Sequence, residues 1–221
     1  MKFCISRKVV LVLSIVTIGS AFAPCAMAAV ILQNGSFELA TPVPAGNNFD
    51  TITPSSWTFS GSFAYPRVGS GAYGYPATPD GTTMYAVEGE RSGILYQDLG
   101  TMVFGETYNF SATILRAATD NSYRASFIGN PSGTATELAF ITEANFAPAA
   151  SSSVIATFSY TPTFADAGMV IRLQLSDNGT TAATRSAFDA ITVTTVPEPA
   201  TTALLVIGLG SALGVRRRRV G

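Results

Sequence analysis

Tyr108-Asn109-Phe110-Ser111-Ala112-Thr113-Ile114 alternates strictly between apolar and polar side chains. A period of two puts Tyr108, Phe110, Ala112 and Ile114 on one face and the amide and hydroxyls on the other, the pattern of a half-buried antiparallel strand. The period returns at Val154, Ala156, Phe158 and Tyr160, interleaved with Ile155, Thr157 and Ser159. It returns again at Met169, Ile171, Leu173 and Leu175, interleaved with Val170, Arg172 and Gln174. Shorter strand candidates lie at 30–33, 56–60, 84–88, 94–98, 123–128, 137–141 and 187–194. Between them sit turn signals: Asp80-Gly81, Asp120-Asn121, Asn130-Pro131-Ser132-Gly133 and Asp177-Asn178-Gly179. No interior segment carries a helical period. Many strands, regular turns and no crossover helices predict an all-β, antiparallel two-sheet sandwich.

The two ends of the chain differ in kind from this interior. Lys2, Arg7 and Lys8 precede an apolar stretch from Val9 to Ala23, and Ala26-Met27-Ala28 is an A-x-A cleavage site. Residues 1–28 thus read as a signal peptide, removed by signal peptidase to leave a mature chain starting at Ala29. Cys4 and Cys25 both fall in that segment, so the exported domain is expected to have neither thiol nor disulfide. At the other end, Val196-Pro197-Glu198-Pro199-Ala200 is followed by an apolar run over 201–215 and by Arg216, Arg217, Arg218 and Arg219. Counted from Ala200, the run would be roughly 24 Å long as a helix, against a bilayer core of about 30 Å that usually takes about 20 apolar residues. It reads as a single short transmembrane helix, weak as a permanent anchor, with the arginines holding its end in the cytoplasm. The expected organisation is a signal peptide at 1–28, one sandwich domain at 29–195 and a handling segment at 196–221. Thr192 to Pro199 reads as the linker between the last two.

The order Pro-Glu-Pro, apolar run and arginine cluster resembles the PEP-CTERM sorting signal of Gram-negative bacteria. The resemblance implies recognition of the tail by an exosortase and cleavage near Pro197-Glu198-Pro199. It also implies passage through an inner-membrane intermediate to the cell envelope, outer surface or extracellular matrix. Proteins of this kind are typical of biofilm-forming bacteria that export polysaccharide.

Charge narrows the partners. Between Ala29 and Thr195 there are six arginines, no lysine and 13 acidic residues, a net charge near −7. Such a domain is repelled by nucleic acid and by anionic membrane surfaces. Its 167 residues suit one domain with a proper core.

The succession of pieces is informative as well. Asn34-Gly35-Ser36-Phe37-Glu38 stands near the mature N-terminus and Trp57 follows about twenty residues later. Asp80-Gly81 leads into Met84-Tyr85-Ala86-Val87, then come the strand from Ile94 to Leu99 and Glu106-Thr107-Tyr108-Asn109-Phe110. Phe188-Asp189-Ala190-Ile191 closes the domain. This order resembles the galactose-binding-like jelly roll of many carbohydrate-binding modules. In that family, acids at the positions of Glu38 and Asp189 help bind a structural calcium, although Ala190 stands where the family usually has a second acid or amide. Strand parity adds an argument: Asp189 shares its phase with Ile191 and Val193, so a regular strand would aim it at the core. A buried carboxylate is costly unless paired or bound to a cation. Calcium would satisfy it, with backbone carbonyls completing the ligands. The alternative is a bulge that turns Asp189 to solvent, or a pairing with Arg185.

Residues 61–81 form the candidate contact surface for glycan. The segment carries Phe63, Tyr65, Arg67, Tyr73 and Tyr75 among glycines and prolines, and sugars stack on aromatic faces. The alternative is that these rings fold back to cover the core. Trp57 reads as a core residue.

Catalytic chemistry has little to stand on. The chain has no histidine, which removes Ser-His-Asp triads and H-E-x-x-H zinc sites, and the mature domain has no cysteine or lysine nucleophile. Glu88 and Glu90 lie two apart and would share a face if the strand continued through Gly89, as a glycosidase pair requires, but two acids at a strand edge are more often just solvated. The sequence predicts an exported, non-catalytic surface or matrix protein. A carbohydrate-binding module acting through the aromatic loop is the alternative, and a carboxylate glycosidase the distant third.

Overall fold

A computed structural model describes residues 31–39, 43–46, 48–61, 67–88, 93–118, 121–178 and 185–197. The signal peptide, Tyr65, Glu90 and everything from Glu198 onward lie outside the described residues, as does the side chain of Glu88. Among the described residues there are eleven strands and one short 3-10 turn, at Ala72–Gly74. No helix among them is long and apolar enough to cross a membrane.

The strands form two antiparallel sheets of a jelly-roll sandwich. One has six: β1 (Phe49–Asp50), β3 (Arg67–Gly69), β4 (Thr83–Glu88), β11 (Arg185–Pro197), β6 (Glu106–Arg116) and β9 (Ser153–Tyr160), in that order. The other has five: β2 (Thr58–Ser60), β5 (Ile94–Thr101), β10 (Val170–Ser176), β7 (Arg124–Gly129) and β8 (Thr136–Thr142). All three alternating segments are strands, except that Met169 lies just before β10 and is exposed rather than on its buried face. Tyr108, Phe110, Ala112 and Ile114 of β6 are buried, and Ile171, Leu173 and Leu175 of β10 are fully so. Residues 31–33 are not a strand; Ile31 donates one backbone bond to Val193, and the chain then turns away. Thr192–Pro197 is not a linker, because β11 stays paired with β6 as far as Pro197 opposite Glu106.

The core lies between the sheets. Leu95, Phe127, Ile141, Ile171, Leu173 and Leu175 from the five-stranded sheet meet Tyr85, Val87, Phe110, Ile114, Phe188 and Val193 from the six-stranded one. Phe158 bridges them, its ring 4.7 Å from Phe110 and 4.8 Å from Phe127. Each large side chain fully removed from water here contributes roughly 1.5–3 kcal/mol. Trp57 is a core residue, as its context predicts, and its indole N–H donates to the Asn34 carbonyl.

A second, smaller cluster lies on the outer face of the six-stranded sheet. Val68, Met84, Ala86, Leu115 and Ala187 present it, and Ala72 and Tyr75 cover it from the 70–82 segment. The six-stranded sheet is therefore buried on both faces along β3, β4 and the start of β11, whereas the five-stranded sheet turns one face to solvent.

Candidate functional site

Of the described residues expected to contact glycan, Arg67 and Tyr75 are buried and Tyr73 is exposed. Arg67 is fully buried in β3 and forks onto Asp50 of β1, its Nε 3.0 Å from Asp50 Oδ1. Tyr75 is buried in the outer cluster and its hydroxyl donates to the Ser186 carbonyl. Tyr73 is 40% exposed, with its ring 6.1 Å from that of Phe49 and with Arg185 over it. The outer face of β4 and β11 needs an apolar cover, and Tyr75 and Ala72 contribute to it. Tyr65 lies outside the described residues.

Glu38 and Asp189, in contrast, come together. The 33–38 turn docks on β11, with Ile191 N–H donating to the Gly35 carbonyl at 3.0 Å. Only glycine fits at 35, since a Cβ there would stand 1.9 Å from the Ile191 oxygen. Glu38 then reaches the 80–83 turn. Its Oε1 accepts the N–H groups of Thr82 (2.6 Å) and Thr83 (2.5 Å), and its Oε2 accepts the Thr83 hydroxyl. Asp189 accepts from the N–H of Asp80 at 3.2 Å and of Ala190 at 2.7 Å.

The parity expected for Asp189 fails because β11 carries a bulge. Asp189 pairs with Thr113 and Thr192 with Ser111, so β11 takes three steps where β6 takes two, and Ala190 has φ of 49°. The extra residue breaks the phase. Phe188 and Ile191 both enter the core, and Asp189 shares the outer face with Thr113. The bulge does not release Asp189 to solvent: the 33–38 and 80–83 turns roof it, and it is fully buried. Arg185 is not its partner; that guanidinium lies over Tyr73.

Burial pushes the Asp189 carboxyl up to about 7, opposed by its two backbone donors and reinforced by the negative charges of Asp80 and Glu38. Among the described residues no arginine hydrogen-bonds any of these three acids. No set of three or more acidic, histidine or cysteine side chains among the described residues is arranged to hold a metal ion. A cation there would rest on Glu38 and Asp189, with backbone carbonyls and water completing a hard, six- to eight-oxygen shell. That donor set suits calcium in kind.

The outer face of the five-stranded sheet holds the arrangement that residue-by-residue reading missed. Register puts Tyr96, Gln174, Ser126 and Phe140 opposite one another across β5, β10, β7 and β8. They form one row on one face, its two rings about 14 Å apart at ordinary strand spacing. Each ring carries an arginine that is itself fixed by a carboxylate. The Arg172 guanidinium sits 3.8 Å from the Tyr96 centroid and forks onto Asp98 at 2.6 and 3.1 Å. Arg124 sits 3.9 Å from the Phe140 centroid and forks onto Glu137. Between the rings, Ser126 Oγ is buried, and no described group hydrogen-bonds it. The result is a rigid polar track ending in two cation-capped aromatic platforms. Its sequence signal was the outer parity of Tyr96, Arg172 and Gln174, but only strand order makes them neighbours. A groove of about 490 Å³ opens over β9, β6 and β11, lined by Asn109, Ser111, Thr157, Ser159, Thr192 and Thr194. Its outward side chains are hydroxyls and amides without an aromatic.

Comparison with known proteins bears on the tail and on the fold. The family model of the PEP-CTERM protein-sorting motif matches residues 195–219. The fold and this tail define an antiparallel jelly-roll sandwich that carries a C-terminal sorting signal. The signal implies export, handling by an exosortase and sorting to the cell envelope. No curated protein matches the sequence. Among solved structures, the Stig cyclase FisC from Fischerella sp. TAU is 16% identical with a TM-score of 0.62, over 78% of this chain and 100% of that one. An apo cyclase from Fischerella sp. is 16% identical with a TM-score of 0.63, over 78% and 98%. The CBM22-1 xylan-binding domain of Xyn10C from Paenibacillus barcinonensis is 14% identical with a TM-score of 0.44, over 78% and 97%. At these identities, what the chain shares with the cyclases is the fold.

Proposed function

We propose that the chain is a non-catalytic surface protein of a Gram-negative envelope or its extracellular matrix, and that it binds exported polysaccharide through the outer face of its five-stranded sheet. The observation that carries this reading is the Tyr96–Gln174–Ser126–Phe140 row with its two fixed arginines. Rings and guanidinium planes give a sugar flat surfaces to stack on, and the amide and hydroxyl between them meet its hydroxyl groups. The side chains are already held in place, so little entropy is lost on binding. The face replaces the 61–81 loop as the contact surface. The absence of histidine from the chain, and of cysteine and lysine from the mature domain, supports a binding role over a catalytic one. We further propose cleavage near Pro197-Glu198-Pro199 and a structural calcium held by Glu38 and Asp189.

Affinity electrophoresis against polysaccharide from the producing cells tests the glycan reading. Tyr96→Ala and Phe140→Ala are each expected to weaken retardation about tenfold, the loss of one stacking platform, while Tyr73→Ala leaves it unchanged. Retardation that survives both platform variants and disappears in Tyr73→Ala would return the site to the loop.

A further inference from the structure

The strands run so that one end of the sandwich collects the β5–β6 turn (102–105), the β9–β10 loop (161–169) and the last residue of β11. This end is unusually apolar. Phe164 is 84% exposed and Phe104 60%, and Val103, Met169, Val170 and Val196 are exposed beside them in the same loops and strand ends. The Phe104 and Phe164 rings meet edge to face at 6.1 Å.

These loops are built rather than loose. Gly168 N–H donates to the Met102 carbonyl and Met102 N–H to the Met169 carbonyl, which ties the two loops together. Asp166 closes the longer loop by accepting from the Tyr160 hydroxyl (2.6 Å), the Thr163 N–H (2.8 Å) and the Thr163 hydroxyl (2.5 Å). Val103 N–H donates to the Tyr108 hydroxyl. A soluble domain gains nothing from holding two phenylalanines in water on so ordered a support.

The chain's exit tells what covers them. Pro197 pairs with Glu106, and Glu106 N–H closes the turn that displays Phe104 onto the Val103 carbonyl. Only Glu198, Pro199 and Ala200 separate Pro197 from the apolar run at 201–215, and three residues span about 10 Å at most. A tail embedded in a bilayer therefore draws this end, and no other, against the membrane.

We propose that the Phe104–Phe164 tip inserts into the lipid interface and seats the sandwich upright on the bilayer while the tail is still attached. It would thereby fix the orientation in which the Pro-Glu-Pro motif is offered for cleavage. Insertion to the headgroup–acyl boundary suits aromatic and aliphatic side chains. The tip contributes Glu106 and Asp166 and no basic residue, so the contact is apolar and anionic lipid does not strengthen it. The proposal rests on the reading of residues 201–215 as a membrane segment.

The test uses the exported chain with its tail intact, in phosphatidylcholine vesicles with brominated or ordinary acyl chains. Phe104→Trp and Phe164→Trp each place a fluorophore at the tip, Leu205→Trp reports on the tail, and Phe140→Trp serves as the control on the sheet face. Trp57, buried in the core, supplies the unquenched baseline. Tip and tail tryptophans are expected to lose most of their added emission to the brominated chains, and the control to lose none. A quenched tail with unquenched tips would overturn the proposal and leave the anchor intact. An unquenched tail would overturn both together.

Discussion

If calcium sits on Glu38 and Asp189 as proposed, removing it should cost the fold an amount set by one carboxylate. Asp189 is fully buried, and burial lifts its pKa from the ordinary 3.8 to about 7. A shift of about three units corresponds to about 4 kcal/mol. The sign follows from proton affinity. Metal-free, the folded chain holds the Asp189 proton more tightly than the unfolded chain does. The associated stability is therefore fully present below about pH 4 and is lost as pH rises through about 7. Above that point the ionised group is held among Asp80 and Glu38 without a cation, unless calcium supplies one. For a domain of this size each kcal/mol moves the melting temperature by about 2–4 °C, so a calcium ion at this site would be worth up to about 8–16 °C. The assay is thermal unfolding followed by circular dichroism near pH 8 and near pH 5, with calcium or with chelator. Calcium should raise the midpoint strongly near pH 8 and weakly near pH 5, where the proton does its work. Asp189→Asn should abolish the calcium response and, in chelator near pH 8, melt above the wild type. A wild-type midpoint indifferent to calcium near pH 8 would refute the metal and leave Asp189 as a protonated, hydrogen-bonded acid.

Two further substitutions test the parts that position the sites. Asp50→Ala strips the carboxylate from Arg67, whose side chain is 1% exposed. Breaking this buried ion pair should lower stability by about 1–3 kcal/mol, read as a lower urea midpoint at unchanged slope; an unchanged midpoint would mean that the pair does not hold β1 to β3. Gly35→Ala forces a Cβ onto the Ile191 carbonyl, so the 33–38 turn must lift off β11. A loss of about 1–3 kcal/mol, together with a weakened calcium response, is expected, and wild-type unfolding in this variant would contradict the docking.

How much of this was legible beforehand depended on the range of the information needed. Strand period is local, so Tyr108 to Ile114 and Ile171 to Leu175 could be placed on the correct face from their own neighbours. The Glu38–Asp189 meeting was legible only through the resemblance in motif order, because nothing near either residue points across 150 positions to the other. Its parity was misread for a physical reason: the bulge at Ala190 adds one residue, and one residue inverts every face after it. Tyr75 was misplaced in another way. Four rings in a glycine-rich segment look like a binding surface when the only apolar demand considered is the segment's own. The outer face of β4 and β11, with Met84, Ala86 and Ala187, also needed a cover, and that demand is visible only once strand order is known. The Tyr96–Phe140 row shows the converse. Its four residues come from four strands whose spatial order, β5-β10-β7-β8, is not their chain order. Local pattern therefore reveals which side chains point outward, whereas topology decides which of them become a site. The apolar tip belongs to the same class, since Phe104 and Phe164 become one feature only because the turns that carry them meet at the end where β11 leaves the sheet.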